Sequence, residues 1–283
     1  MENHLLRPDE ILEASIDTAE GKANGSFVKL AVLAFLAGAF IAFAAEGSNM
    51  AAFNLLADPA SYGLGRVLAG TVFGTGLMLV VVAGGELFTG NMLMVGALAR
   101  RRITAARMLR NWCIVYAFNF AGALFLAWGI YASGLLGSGD GLLGAVTVKV
   151  AAGKTALPFL SALVLGIFCN WLVCLAVWMA YGARSMVGKL FAIFFPIWLF
   201  ITSGFEHCVA NMYYIPAGIL AKGDPALLQG ALAHGASQQA LDGLTWGGFL
   251  LHNLLPVTLG NILGGGLFVS LAYLVAYRKK PPQ

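Results

Sequence analysis

Six apolar stretches, at approximately 27–46, 64–98, 110–134, 157–182, 188–221 and 247–277, constrain this chain more than any other feature. Each is near or beyond the roughly 20 residues that an α-helix needs to cross a bilayer. Composition leaves them no other use. Charged residues are 11% of the 283 and hydrophobic residues 59%, whereas a soluble domain carries about 25% charged. The chain lacks the polar surface to cover itself for water, so the expected fold class is all-α integral membrane with six transmembrane helices. A net charge of +4, with the basic residues not interleaved with aromatics, argues against nucleic acid as a partner. The first 24 residues hold no apolar core flanked by a cleavage site, so no removable signal peptide is expected.

The second and fifth stretches are too long for one simple crossing. Near residues 84–91 the sequence reads "GGELFTGN", and near 203–211 it reads "SGFEHCVAN". Glycines and polar residues there break the helix pattern at membrane depth, so the second and fifth helices are expected to be interrupted. Basic residues set the direction. Arg7, Lys22 and Lys29 precede the first span; Arg100, Arg101, Arg102, Arg107 and Arg110 join the second to the third. Arg184 and Lys189 join the fourth to the fifth, and Arg278, Lys279 and Lys280 follow the last. The other side has only Arg66, Lys149, Lys154 and Lys222. Both termini are therefore expected in the cytoplasm.

Three regions follow from this reading. Residues 1–25 are expected to form a cytoplasmic N-terminal amphipathic helix, 26–278 the transmembrane domain, and 279–283 a cytoplasmic tail. In the first region Pro8 suits a first helical turn, and Leu12, Ile16 and Ala19 share one face. Asp9, Glu13 and Asp17 share another, so the segment reads as a solvated surface helix or a flap docked on the basic loops. Residues 134–156 read as a glycine-rich outer loop joining repeat halves at about 26–135 and 155–278.

The two interruptions match each other. Glu86 precedes Asn91 and Met92 at the spacing with which Glu206 precedes Asn211 and Met212, an offset of 206 − 86 = 120 residues. Farther on, Asn111 and Asn119 are spaced as Asn253 and Asn261 are. Gly38-Ala39-Phe40 and Gly166-Ile167-Phe168 match weakly. Three spans per half is an odd number, which places the halves in opposite orientations as an inverted 3+3 repeat. In such folds the interrupted helices meet near the midplane, where loop backbone is tolerated because it lines a cavity.

"GGELFTGNML", "FCNWLVCLAVWMAYGARS" and "SGFEHCVANMYYIPAG" together resemble the signature stretches of the formate–nitrite transporter family, and the resemblance runs from about residue 10 to 278. It implies an aquaporin-like protomer, a homopentamer, and one anion pore through each protomer in the cell (inner) membrane. It also implies the lining. Phe73, Leu77 and Phe200 would form an outer constriction and Leu87, Phe88 and Val173 an inner one. Residue patterning alone selects none of these six.

His207 is the central candidate on its own chemistry. A histidine titrates near neutrality, and an ionisable group in a helix break at membrane depth is functional by default. The other reading is a buried neutral imidazole held by one hydrogen bond; the resemblance makes this position the pore histidine. Glu86 and Glu206 are expected to brace the loops by accepting backbone N–H bonds, because a carboxylate exposed in the pathway would repel an anion. Asn91 and Asn211 would brace with them, and Asn170, Asn111, Asn119, Asn253 and Asn261 would satisfy freed backbone groups. Gly70 with Gly74, and Gly260 with Gly264, would allow close helix approach. Thr89 could face His207, a role the resemblance supports. Lys154 is either an interfacial lysine or, by the resemblance, one that draws anions inward.

The leading function is a channel or proton-coupled carrier for a small monovalent weak-acid anion. Formate comes first, then nitrite and hydrosulfide, with protons as possible co-substrates and with no cofactor and no metal. A neutral-solute channel of the water or glycerol type would carry paired Asn-Pro-Ala loops, but Met follows both Asn91 and Asn211. An intramembrane hydrolase would need a GxSxG or HExxH motif that this sequence lacks. Cys113, Cys169, Cys174 and Cys208 lie in or beside apolar runs at no zinc-like spacing, and read as reduced packing residues.

Overall fold

The computed structural model describes residues 5–277. Among the described residues, six helices are long and apolar enough to cross a membrane: α2 (Phe27–Ala57), α3 (Tyr62–Gly84), α5 (Ala105–Ala132), α7 (Phe159–Gly182), α8 (Met186–Ser203) and α12 (Gly248–Ala276). Two shorter apolar helices complete the interrupted spans. α4 (Gly90–Ala99) follows α3 after a break at 85–89, and α9 (Cys208–Ala221) follows α8 after a break at 204–207. Both interruptions fall where glycine and polar residues cluster. The first span is longer than its apolar stretch and continues to Ala57. Arg278, Lys279, Lys280 and the tail 279–283 lie outside the described residues.

Helix starts are set by local chemistry. Ser26, Thr104 and Ser185 accept hydrogen bonds from the backbone N–H three residues on, at the heads of α2, α5 and α8, which satisfies amides a helix cannot pair internally. α1 (Pro8–Ala23) begins on Pro8, whose missing N–H costs nothing in a first turn. Its Leu12, Ile16 and Ala19 are each 2% exposed, so the apolar face is docked and not solvated. Arg100 pairs with Glu13, and Arg102 with Asp17 and Glu20.

Residues 134–156 are not the loop that their glycines suggest. Gly134, Gly139 and Gly141 do turn the chain, each at positive φ. From Leu142 to Thr155, however, the chain is helical, forming α6. Small alanine, valine and glycine side chains let α6 pack tightly on α9. A Cβ added to Gly218 would stand 2.2 Å from the Cβ of Ala151.

Two short helices, α10 (Pro225–Ala233) and α11 (Gln238–Gly243), lead to α12. Lys222 ties this connection down by donating to the carbonyls of Leu241 and Leu244. The long spans pair in matching ways: α2 packs on α3 and α5, as α7 packs on α8 and α12, while α3 and α8 pack on each other. The α2–α5 and α7–α12 contacts are backbone-close. A Cβ on Gly122 would lie 2.0 Å from Phe35 O, and one on Gly260 would lie 2.2 Å from Leu163 O.

Candidate functional site

The two breaks are held by the same set of bonds, built twice. Glu86 N–H donates to Leu33 O at 3.1 Å, and Glu206 N–H donates to Leu165 O at 3.3 Å. Asn119 accepts from Phe88 N–H and donates to Ala34 O and Glu86 O. Asn261 accepts from Cys208 N–H and donates to Gly166 O and Glu206 O. Each asparagine thus satisfies backbone groups that the break leaves unpaired at a depth where water is scarce.

The carboxylates are held by side chains and not by the backbone N–H donors expected from sequence. Asn91 Nδ2 donates to Glu86 Oε2 at 2.9 Å and to Asn111 Oδ1 at 2.8 Å. Asn211 Nδ2 donates to Glu206 Oε2 and Asn253 Oδ1, each at 2.7 Å. A lysine completes each cluster: Lys22 Nζ lies 3.0 Å from Glu86 Oε2, and Lys154 Nζ lies 2.6 Å from Glu206 Oε1. Asn111 and Asn253 return the contact by donating to the lysines' own carbonyls. The clusters differ in two bonds. Asn253 also donates to Glu206 Oε2, whereas Asn111 Nδ2 donates to the Lys22 carbonyl alone. Lys22 also donates to Asn91 Oδ1, whereas Asn211 Oδ1 has no partner among the described residues.

Lys22 was not singled out from the sequence, and its equivalence to Lys154 emerges only once the helix starts are known. Lys22 precedes the first residue of α2 by 27 − 22 = 5, and Lys154 precedes that of α7 by 159 − 154 = 5. Their carriers, α1 and α6, therefore occupy equivalent places against α4 and α9.

The breaks meet at His207 and Thr89. His207 caps α9: its Nδ1 accepts the N–H of Ala210 at 3.0 Å. A neutral imidazole has one donor and one acceptor nitrogen, so the ring proton is on Nε2. That N–H donates to Thr89 Oγ1 at 2.9 Å, leaving the threonine hydroxyl proton free to donate elsewhere. Asn170 and Cys174 on α7 both donate to Thr89 O, fixing the residue on the α3–α4 side. His207 is 3% exposed and Thr89 is fully buried.

Two cavities flank this contact. One, of about 320 Å³, is lined by Arg66, Lys149, Lys154, Glu206, His207 and Phe200 among others. The second, of about 300 Å³, is lined by Lys22, Lys29, Glu86, Leu77, Leu87 and Tyr181 among others. Apolar side chains lie at and between them. Phe73 meets Phe200 edge to face at 5.5 Å, and the His207 ring lies over Phe200 at 6.0 Å. Leu77 sits on the Lys22-side cavity together with Leu87. Phe73 and Val173 line neither cavity and are buried. Phe88 also lines neither; its ring packs on Tyr116 at 4.7 Å and on Trp112 at 6.1 Å.

The architecture is that of a polytopic membrane protein with two cavities beside a buried apolar cluster around His207. The formate/nitrite transporter family model matches residues 9–275. Over 97% of the chain and 94% of the relative, the sequence is 41% identical to an uncharacterized transporter of Bacillus subtilis, YrhG. It is 38% identical to the formate channel FocA of Escherichia coli, over 98% and 96% of the two chains. A solved pentameric formate channel with formate bound aligns with a TM-score of 0.75 at 36% identity, covering 89% of this chain and 98% of the other. This chain belongs to the formate/nitrite transporter family; it is a multi-pass membrane transport protein and not an enzyme.

Proposed function

We propose that the protein is a channel for small monovalent weak-acid anions, formate first, in which His207 assists protonation of the anion between two hydrophobic constrictions. The hydrogen bond from His207 Nε2 to Thr89 Oγ1, at the join of the two broken spans, carries this reading. Arg66, Lys149 and Lys154 face the outer vestibule against one carboxylate, Glu206, so an anion gathers there. At the apolar barrier a bare anion loses hydration, a cost of several kcal/mol even after relaxation. One free donor meets it there, the Thr89 hydroxyl, and the His207 Nε2–H becomes a second when it turns from Thr89 Oγ1 to the anion. The N-terminus of α9 adds its partial positive charge.

Proton transfer follows from the cap. A second proton on the ring must sit on Nδ1, where it displaces the Ala210 N–H and gives up a cap worth about 1 kcal/mol. Passing the Nε2 proton to the anion returns the ring to neutrality as the Nδ1–H tautomer, and the Ala210 bond is restored only when Nε2 takes up a new proton and Nδ1 gives up its own. The acid then crosses as a neutral species, and the ring reloads from the vestibule.

Further parts of the same reading are a homopentamer, supported by the pentameric relative, a place in the cell (inner) membrane, and halves arranged as an inverted repeat, supported by the bond set built twice at the breaks. The basic residues at Arg100, Arg102 and Arg107, gathered around α1, favour a cytoplasmic position for that helix. Nitrite and hydrosulfide are the next candidates as cargo. Stopped-flow uptake into proteoliposomes, comparing formate, nitrite, hydrosulfide and lactate at about pH 5 and about pH 7, tests the assignment. Equal rates for all four, or none above empty liposomes, would refute it.

A further inference from the structure

α2 carries a carboxyl group within its membrane span that the pathway above does not use. Glu46 is 5% exposed, and the hydroxyl of the fully buried Tyr213 on α9 donates to its Oε2. Its other oxygen, Oε1, has no hydrogen-bond partner among the described residues. Neither has Nδ2 of Asn49, which is 3% exposed. These two atoms belong to residues three apart on one helix, which are surface neighbours about 5–6 Å apart at Cβ. An unmet acceptor beside an unmet donor matches one water, accepting from Asn49 and donating to Glu46.

The position of Asn49 gives that water a route. Asn49, Ser48 and Tyr214 all line the Lys154-side vestibule. Ser48 is turned inward, donating to the carbonyls of Ala44 and Ala69. Asn49 is thus the polar group leading from Glu46 to the cavity. The charged and titratable groups around it come from each helix packed on α2. α3 supplies Arg66, which donates to Ile201 O; α6 supplies Lys149 and Lys154; α9 supplies Tyr213 and Tyr214. Glu206 lies in the break before α9, and α5 bears no charged side chain after Arg110.

We infer that Glu46 is a proton-binding site in the wall of the Lys154-side vestibule, exchanging protons with it by way of a water held between Glu46 Oε1 and Asn49 Nδ2. Tyr213 occupies Oε2 as donor, so Oε1 is the oxygen that takes the proton. Hydronium in the vestibule gives up the proton and becomes water, and release runs in reverse. The consequence rests on the anion-channel reading. An ionised Glu46 offsets the positive charge of Arg66 and Lys149, and a protonated one leaves that charge free to hold an anion. Proton uptake at Glu46 therefore raises anion occupancy of this vestibule, independently of His207.

Infrared difference spectroscopy on the reconstituted full-length protein, titrated from about pH 8 to about pH 5, reads the site directly. A protonated-carboxyl band should grow with acid and be missing in Glu46→Gln. Formate flux is measured alongside, with pH varied only on the Lys154 side and in a His207→Asn background. Glu46→Gln should cut the acid-to-neutral flux ratio by about twofold or more, against a limit of tenfold per pH unit for one site. An unchanged band or an unchanged ratio in an assembled Glu46→Gln protein overturns the inference. Should that variant fail to assemble, Tyr213→Phe decides: removing the phenol must shift the wild-type band, and an unmoved band overturns it. A titrating Glu46 band without formate flux upholds the proton site while removing the anion reading.

Discussion

His207 Nε2 lies 2.9 Å from Thr89 Oγ1, although the two residues are 118 apart in sequence and belong to different broken spans. The same imidazole caps α9 through Nδ1, so one side chain links the stability of the break to the chemistry of the barrier. Replacing it separates the two roles. Asparagine is among the best N-caps, so His207→Asn should assemble normally in detergent size exclusion. Its anion flux in liposomes should change and lose the His207 share of its dependence on pH between about 5 and 7, the share argued for Glu46 remaining. His207→Ala removes the cap too and should cost about 1 kcal/mol of stability. Wild-type flux and pH profile in His207→Asn would reduce the histidine to a packing residue.

Glu206 is expected to act as scaffold. It accepts from Lys154, Asn211 and Asn253 in a buried cluster, and charge-assisted bonds of this kind are worth about 1.5–3 kcal/mol each. Glu206→Gln presents an amide N–H₂ to groups that are already donors, so the yield of assembled protein should fall. Lys22→Met, in the other cluster, strands the Glu86 carboxylate and should cost about 3–5 kcal/mol. Thermal unfolding followed by size exclusion measures both. Wild-type melting of Lys22→Met would show that the Lys22–Glu86 pair supports nothing.

Helix approach gives a paired test on α5. Gly122→Ala would put a Cβ 2.0 Å from the Phe35 carbonyl, forcing α2 and α5 apart, and should prevent assembly. At Gly129 an added Cβ meets nothing within 4 Å, so Gly129→Ala should be neutral or gain up to about 1 kcal/mol from helix propensity. Equal expression and melting of the two variants would contradict the close packing.

The docking of α1 rests on apolar burial more than on charge. Ile16→Ala removes a side chain that is 2% exposed, a change that costs about 2–5 kcal/mol in a packed core. Arg102 is solvated, and its guanidinium is held charged by the hydrogen bond to Glu20 and by the nearby Glu20 and Asp17 carboxylates. Arg102→Ala should loosen α1 less than Ile16→Ala, and high salt should mimic the arginine change alone. Hydrogen exchange over residues 8–23 ranks the two, and the opposite ranking would make charge the dominant tether.

The sequence alone determined the membrane class, the number of spans and where two of them break. A run of about 20 apolar residues is long enough to cross a bilayer as a helix, and the two polar, glycine-bearing stretches inside over-long runs marked the breaks. It also marked Glu86 with Asn91 and Glu206 with Asn211, because those partners are close in the chain and their spacing repeats. Tertiary structure alone decided the rest. Lys22 and Lys154 reach their carboxylates across 64 and 52 residues, and their own offset, 154 − 22 = 132, differs from the 120 between the glutamates. Connections of unequal length hide such a pair from any fixed register. Residues 142–155 read as loop because glycine signals a turn, yet packing against α9 makes them helix. Phe88, one of six apolar candidates, turned out to pack on Trp112 and Tyr116. Apolar side chains carry no local mark of whether they face a pore, a neighbour or lipid; only the placement of the helices around them decides it.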